Sequence, residues 1–98
     1  MGKLVRDRIP EIMRQQGKVP VIEQISGERL RLALKDKLVE EAEELRQADD
    51  ITEELADVQE VIEALIEAYG LDRERIEAVK INKRLVRGDF SEGQFLCK

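Results

Sequence analysis

Histidine and tryptophan are absent from this 98-residue sequence, which holds one cysteine, two prolines and three aromatic residues, Tyr69, Phe90 and Phe95. Without histidine, imidazole acid–base catalysis, Ser-His-Asp and Cys-His nucleophile systems and imidazole-ligated zinc sites are excluded. One thiol, Cys97, builds neither a disulfide framework nor a thiolate cluster, and a single cysteine suits a reducing cytoplasm. No apolar run approaches the roughly 20 residues of a membrane span. The opening Met1-Gly2-Lys3-Leu4-Val5-Arg6 turns charged at once, unlike a secretory leader. The expectation is a cytoplasmic protein with no membrane partner. Any metal it holds must be bound by oxygen, which favours Mg²⁺, Mn²⁺ or Ca²⁺.

What is present is charge and aliphatic side chain: 40% of residues are charged and 42% are hydrophobic. The apolar residues fall in periodic segments, which predicts one all-α domain over residues 1–98. The net charge of −5 conceals a segregation. Residues 40–67 carry twelve acidic side chains against one basic, Arg46, whereas residues 73–87 carry six basic against two acidic. Residues 3–18 are again basic, five against two. An acidic middle between basic ends is no footprint for a nucleic acid polymer, which needs a continuous basic surface. It suits a site where carboxylates hold cations and nearby bases hold anions, and equally a set of solvated helix faces that pair with one another.

Four helices are predicted. The first spans about 7–16, with Pro10 in its first turn and Gly17 as its stop. Residues 18–25, β-branched and broken by Pro20, form an extended connector. Ser26 can cap a second helix to about Ala48, and Asp50-Ile51-Thr52-Glu53 resembles a capping box opening a third that ends before Gly70. Asp72 can cap a fourth, which stops at Gly88. The tail carries Phe90, Phe95 and Leu96, expected to tuck onto the helices. The fold class is thus a small antiparallel bundle of about four helices. Leu32, Val39, Ala56 and Ala64 lie off the main apolar stripes, so completion by a homo-oligomer, most simply a homodimer, is expected.

Placing residues at about 100° intervals around each helix separates two kinds of carboxylate. On the second helix Glu41 falls within the stripe of Leu30, Leu34, Leu38 and Leu45, and Glu44 falls at its edge. On the third, the stripe is Ile51, Leu55, Val58, Ile62, Leu65, Ile66 and Tyr69, with Glu54 and Asp57 on one flank. Glu53, Glu60, Glu63 and Glu67 cluster on the opposite, solvated face. Burying an ionised carboxylate costs several kcal/mol unless something pairs with it. Glu41, Glu44, Glu54 and Asp57 therefore form a candidate hard-metal site. The competing reading pairs them with Lys80, Lys83 or Arg84 of the last helix. That helix places Lys80, Lys83, Arg84 and Arg87 on one face, either an anion site for a polyphosphate or a snorkelling surface row.

Two further strings carry a resemblance. Leu38-Val39-Glu40-Glu41-Ala42-Glu43-Glu44-Leu45, followed by Glu54-Leu55-Ala56-Asp57-Val58, resembles the EExxE…ExxD signature of the MazG-like all-α nucleoside triphosphate pyrophosphatases. The opening Lys3-Leu4-Val5-Arg6-Asp7-Arg8-Ile9-Pro10-Glu11-Ile12 and the closing Lys83-Arg84-Leu85-Val86-Arg87-Gly88-Asp89-Phe90 are similar to the ends of a small subgroup predicted to clear noncanonical nucleotides. The resemblance, which spans nearly the whole chain, implies Mg²⁺-dependent hydrolysis of a nucleoside triphosphate to monophosphate and pyrophosphate, with Mn²⁺ as a substitute. It implies Glu41, Glu44, Glu54 and Asp57 as metal ligands and Glu40, beside Glu41, as a group that helps to orient water. It further implies Lys83, Arg84 and Arg87, with Lys3 and Arg6, as phosphate-binding residues. Base stacking is left to Tyr69, Phe90 or Phe95. The alternatives are phosphoribosyl-ATP hydrolysis and a non-catalytic helical interaction module.

Overall fold

A computed structural model describes residues 2–98 and contains four helices: α1 (Ile9–Gln15), α2 (Gly27–Gln47), α3 (Thr52–Ala68) and α4 (Arg73–Arg87). No strand occurs among the described residues, and no helix is long and apolar enough to cross a membrane. Residues 18–26 have neither helix nor strand, as the β-branched connector around Pro20 predicts.

The helix ends follow local chemistry, with two departures from the sequence reading. Asp72 caps α4 as expected, its Oδ1 accepting the Glu74 N–H at 2.9 Å. Asp50 accepts the Thr52 N–H at 3.0 Å, but α3 begins at Thr52 with Ile51 in the cap position, so the Asp50-to-Glu53 capping box does not form. Ser26 stands at the start of α2, yet its side chain accepts no capping hydrogen bond. The chain enters that helix through Gly27, whose φ of +58° is open to glycine at little cost.

α2 and α3, joined by the short connection 48–51, are the one closely packed helix pair among the described residues. Leu34 of α2 and Val61 of α3 are the buried apolar side chains, with Leu30, Leu38, Leu45, Val58 and Leu65 half-buried around them. The buried face of α3 is therefore rotated from the stripe read off the sequence. It centres on Val61, and takes in Ala64, while Ile51, Leu55, Ile62 and Tyr69 remain exposed. A stripe this broad has two flanks, and a single partner helix covers one.

Every residue of α4 is exposed, including Ile76, Val79, Leu85 and Val86. The tail does not tuck onto the helices either: Phe90 is 98% and Phe95 89% exposed, with Leu96 nearly as bare. The radius of gyration is 17.3 Å. A compact chain of this length has about 13 Å.

Candidate metal centre

The wheel position of Glu41 is realised: it is 6% exposed, between the turns that carry Leu38 and Leu45. The preceding Glu40 is half-buried and Glu44, one turn further, is exposed. These three residues each bring a carboxylate oxygen within 4.8 Å of the others. Lys37, one turn before them, lies 3.3 Å from Glu40 Oε1 and 3.4 Å from Glu41 Oε1. Lys3 Nζ adds a longer contact of 3.8 Å to Glu40. The second oxygen of Glu41, Oε2, is buried and finds no donor while Glu44 is ionised. A buried carboxylate oxygen without a donor is costly, and two carboxylates beside it increase the cost.

The repulsion is visible at Glu44. A hydrogen bond to Glu41 that only the protonated form can make, together with the charges of Glu41 and Glu40, holds the Glu44 carboxyl above its ordinary range. Lys37 opposes the shift as the smallest of the influences. A divalent cation would satisfy Glu41 Oε2 and replace the shared proton. The donor set, carboxylate oxygen alone, fits Mg²⁺ or Mn²⁺.

On α3, Glu54 and Asp57 are half-buried, whereas Glu53, Glu60, Glu63 and Glu67 are exposed, the division the sequence predicts. Neither Glu54 nor Asp57 belongs to the three-carboxylate group. Asp57 is held instead by Arg6, at 2.6 Å. Asp57 and Glu41 nevertheless line a common cleft of about 610 Å³ between the N-terminal segment and the helix pair.

Of the candidate anion-binding residues, Lys3 and Arg6 reach the carboxylates directly. Lys83, Arg84 and Arg87 are exposed on α4, where Lys83 and Arg87 line an open groove with Arg75 and Val86 that contains none of the site carboxylates. The cation partners proposed from α4 therefore do not pair with the carboxylates within the chain; Lys80 meets Glu77 of its own helix, at 4.0 Å. Lys37 is the participant that sequence reasoning missed. Its spacing of three and four residues from Glu40 and Glu41 was the available signal. Tyr69 presents its ring to Lys35 and Arg31, at 5.3 and 5.7 Å from the centroid, and it does not line the cleft.

No family model matches this chain, and no solved structure matches it. It is similar to an uncharacterized protein of Mycolicibacterium smegmatis, with 53% identity over 49 residues, which is 50% of each chain. The chain thus spans about half the length of the curated relative it matches.

Proposed function

We propose that this chain is a cytoplasmic, Mg²⁺-dependent nucleoside triphosphate pyrophosphohydrolase of the MazG-like kind, clearing noncanonical nucleotides. The observation that carries the reading is the orphaned, buried Oε2 of Glu41 at the centre of a three-carboxylate group. In a structural ion-pair site the oxygens of a buried carboxylate are ordinarily all paired. Glu41 and Glu44 would hold the cation from α2, and Glu54 and Asp57 would complete the set from α3. Bound Mg²⁺ supplies the Lewis acid that polarises a phosphoryl oxygen and acidifies the attacking water. Glu40, already drawn towards Lys37 and Lys3, orients that water from the side of the carboxylate group. Arg6, now paired with Asp57, and Lys3, beside Glu40, would be free to meet phosphate oxygen once a cation balanced those carboxylates. Water oxygen bonds to the α phosphorus as the bond from that phosphorus to the bridging oxygen breaks, so the products are a monophosphate and pyrophosphate.

The remaining phosphate charge falls to Lys83, Arg84 and Arg87, and their location implies a second copy of the chain. α4 is basic, amphipathic and unpacked, and the α2–α3 pair is acidic with its second apolar flank exposed. A homodimer that lays α4 along the partner's α2–α3 pair satisfies both surfaces and brings the basic row towards the carboxylates. The exposed apolar residues of α4 also favour one other reading, a non-catalytic docking module.

A panel of ordinary and modified nucleoside triphosphates, incubated with Mg²⁺ and resolved by chromatography, tests the reaction. Monophosphate and pyrophosphate are the expected products. Diphosphate and free phosphate would overturn the proposed cleavage position, and no turnover of any nucleotide would favour the docking module. Phosphoribosyl-ATP belongs in the panel because its hydrolysis is the neighbouring activity.

A further inference from the structure

The opening segment has a place in the fold that the carboxylate chemistry does not use. Leu4 and Val5 are half-buried although they lie outside any helix, and they form one wall of the cleft that Glu41 and Asp57 line. The opposite wall is Leu34 of α2 with Val61, Ala64 and Ala68 of α3. Along α2 the lining passes from Glu41 through Lys37 and Leu34 to Leu30, and along α3 from Asp57 through Val61 and Ala64 to Glu67. At 1.5 Å per residue the cleft runs roughly 16 Å from Glu41 to its far end, where Leu30 and Ala68 stand beside Glu67, and Glu60 adds a carboxylate along the α3 side. Its volume of about 610 Å³ suits a small organic ligand.

We propose that this cleft receives the nucleoside end of the substrate, with the phosphates at Glu41 and Asp57 and the base against Leu4, Leu34, Val61 and Ala64. The inference rests on the phosphate reading above and adds the location and chemistry of the organic half. No aromatic residue lines the cleft, so the base is held by aliphatic burial rather than by stacking. The two alanines of α3 keep the floor open. Leu4 and Val5 make the N-terminal segment a specificity wall, and the adjoining Arg6 keeps its phosphate role at the charged end.

The test uses the full chain labelled at its methyl groups. Free nucleosides and nucleoside monophosphates are titrated against the wild type and against Ala64→Phe, which fills the cleft from the floor. Inorganic pyrophosphate with Mg²⁺ is the probe that lacks an organic end. Nucleoside addition should shift the Leu4, Val5, Leu34 and Val61 methyl signals, and Ala64→Phe should weaken nucleoside binding by at least ~10-fold while leaving pyrophosphate affinity unchanged. Leu4→Ala supplies an independent variant on a segment outside the helices, with the same preferential loss of nucleoside over pyrophosphate. Absent nucleoside shifts at these methyls, or equal nucleoside binding in wild type and both variants, would overturn the proposal. Methyl shifts with nucleoside but no response to Mg²⁺ and pyrophosphate would uphold the cleft and remove the phosphate reading instead.

Discussion

The α2–α3 pair and the α4 region are built from similar residue types and end in opposite states. In the pair, a carboxylate is buried and apolar side chains meet; in α4 and the tail, aliphatic and aromatic side chains stand in solvent. Although Arg73 at the start of α4 pairs with Glu63 of α3, Lys80, Lys83, Arg84 and Arg87 pair with no carboxylate of α2 or α3 among the described residues. Amphipathic pattern alone therefore does not decide burial. Nor does connection length decide it: the segments on either side of α3, 48–51 and 69–72, are equally short, yet α2 packs closely on α3 and α4 does not. For α4 the proposed complementary surface is the acidic pair of another copy. The contrast also divides the labour of the proposed site: Glu40, Glu41 and Glu44 gather within one chain, whereas Asp57 is held by Arg6 and the basic row of α4 would need a second copy to reach them.

The largest expected difference between the two regions is in activity. Glu41→Gln keeps the size of the side chain but removes the buried charge, and turnover should fall by more than the ~10–100-fold typical of lost outer-shell partners. Helical content should survive, as circular dichroism would show. Stability separates the regions next. Leu34→Ala should cost about 2–4 kcal/mol in denaturant unfolding, whereas Phe90→Ala should change the isolated chain by less than about 0.5 kcal/mol. A costly Phe90→Ala would mean that the tail is packed in solution.

Glu54→Gln set against Glu53→Gln separates the two kinds of carboxylate within α3. As a metal ligand Glu54 should lose activity on substitution without unfolding. As a structural ion-pair partner its loss would destabilise the fold by roughly 3–5 kcal/mol. Glu53→Gln, exposed and away from the cleft, should stay within about 0.5 kcal/mol and turn over normally. On α4, Val79→Asp should convert the oligomer to monomer by sedimentation velocity without loss of helix; a monomeric wild type would break the assembly half of the account.

The smallest effect concerns protons. The folded-state pKa of Glu44 is raised, so the folded chain holds this proton more tightly than the unfolded chain. Its favourable contribution is complete below the ordinary glutamate value of 4.5 and is lost as pH rises from there through the raised folded value. Metal-free stability should therefore decline over that window, and Glu44→Gln should flatten the decline. Mg²⁺ should reverse it, because a bound cation takes the place of the shared proton.

Much of this was legible in the residues. The helices, the extended connector, the Asp72 cap and the division between Glu41 and the solvated acids follow from periodicity and local hydrogen bonding. Three features were not. Periodicity marks the broad stripe of α3 but not which flank meets α2, so Ala64 read as spare surface although it lines the cleft. The tail's Phe90 and Phe95 are hydrophobic enough to pack, but hydrophobicity names no partner. The alliance of Lys3 and Arg6 with the carboxylates depends on how the N-terminal segment crosses the helix pair, which no local pattern encodes.

The central claim is that Glu41 and its neighbours form a cation site rather than a set of ion pairs. Calorimetric titration of the metal-free protein with Mg²⁺, beside Glu41→Gln, measures this directly. The account predicts saturable binding with proton release in the wild type and its loss in the variant. Heat-silent addition to the wild type, with or without nucleotide present, or unchanged binding in Glu41→Gln, would contradict it.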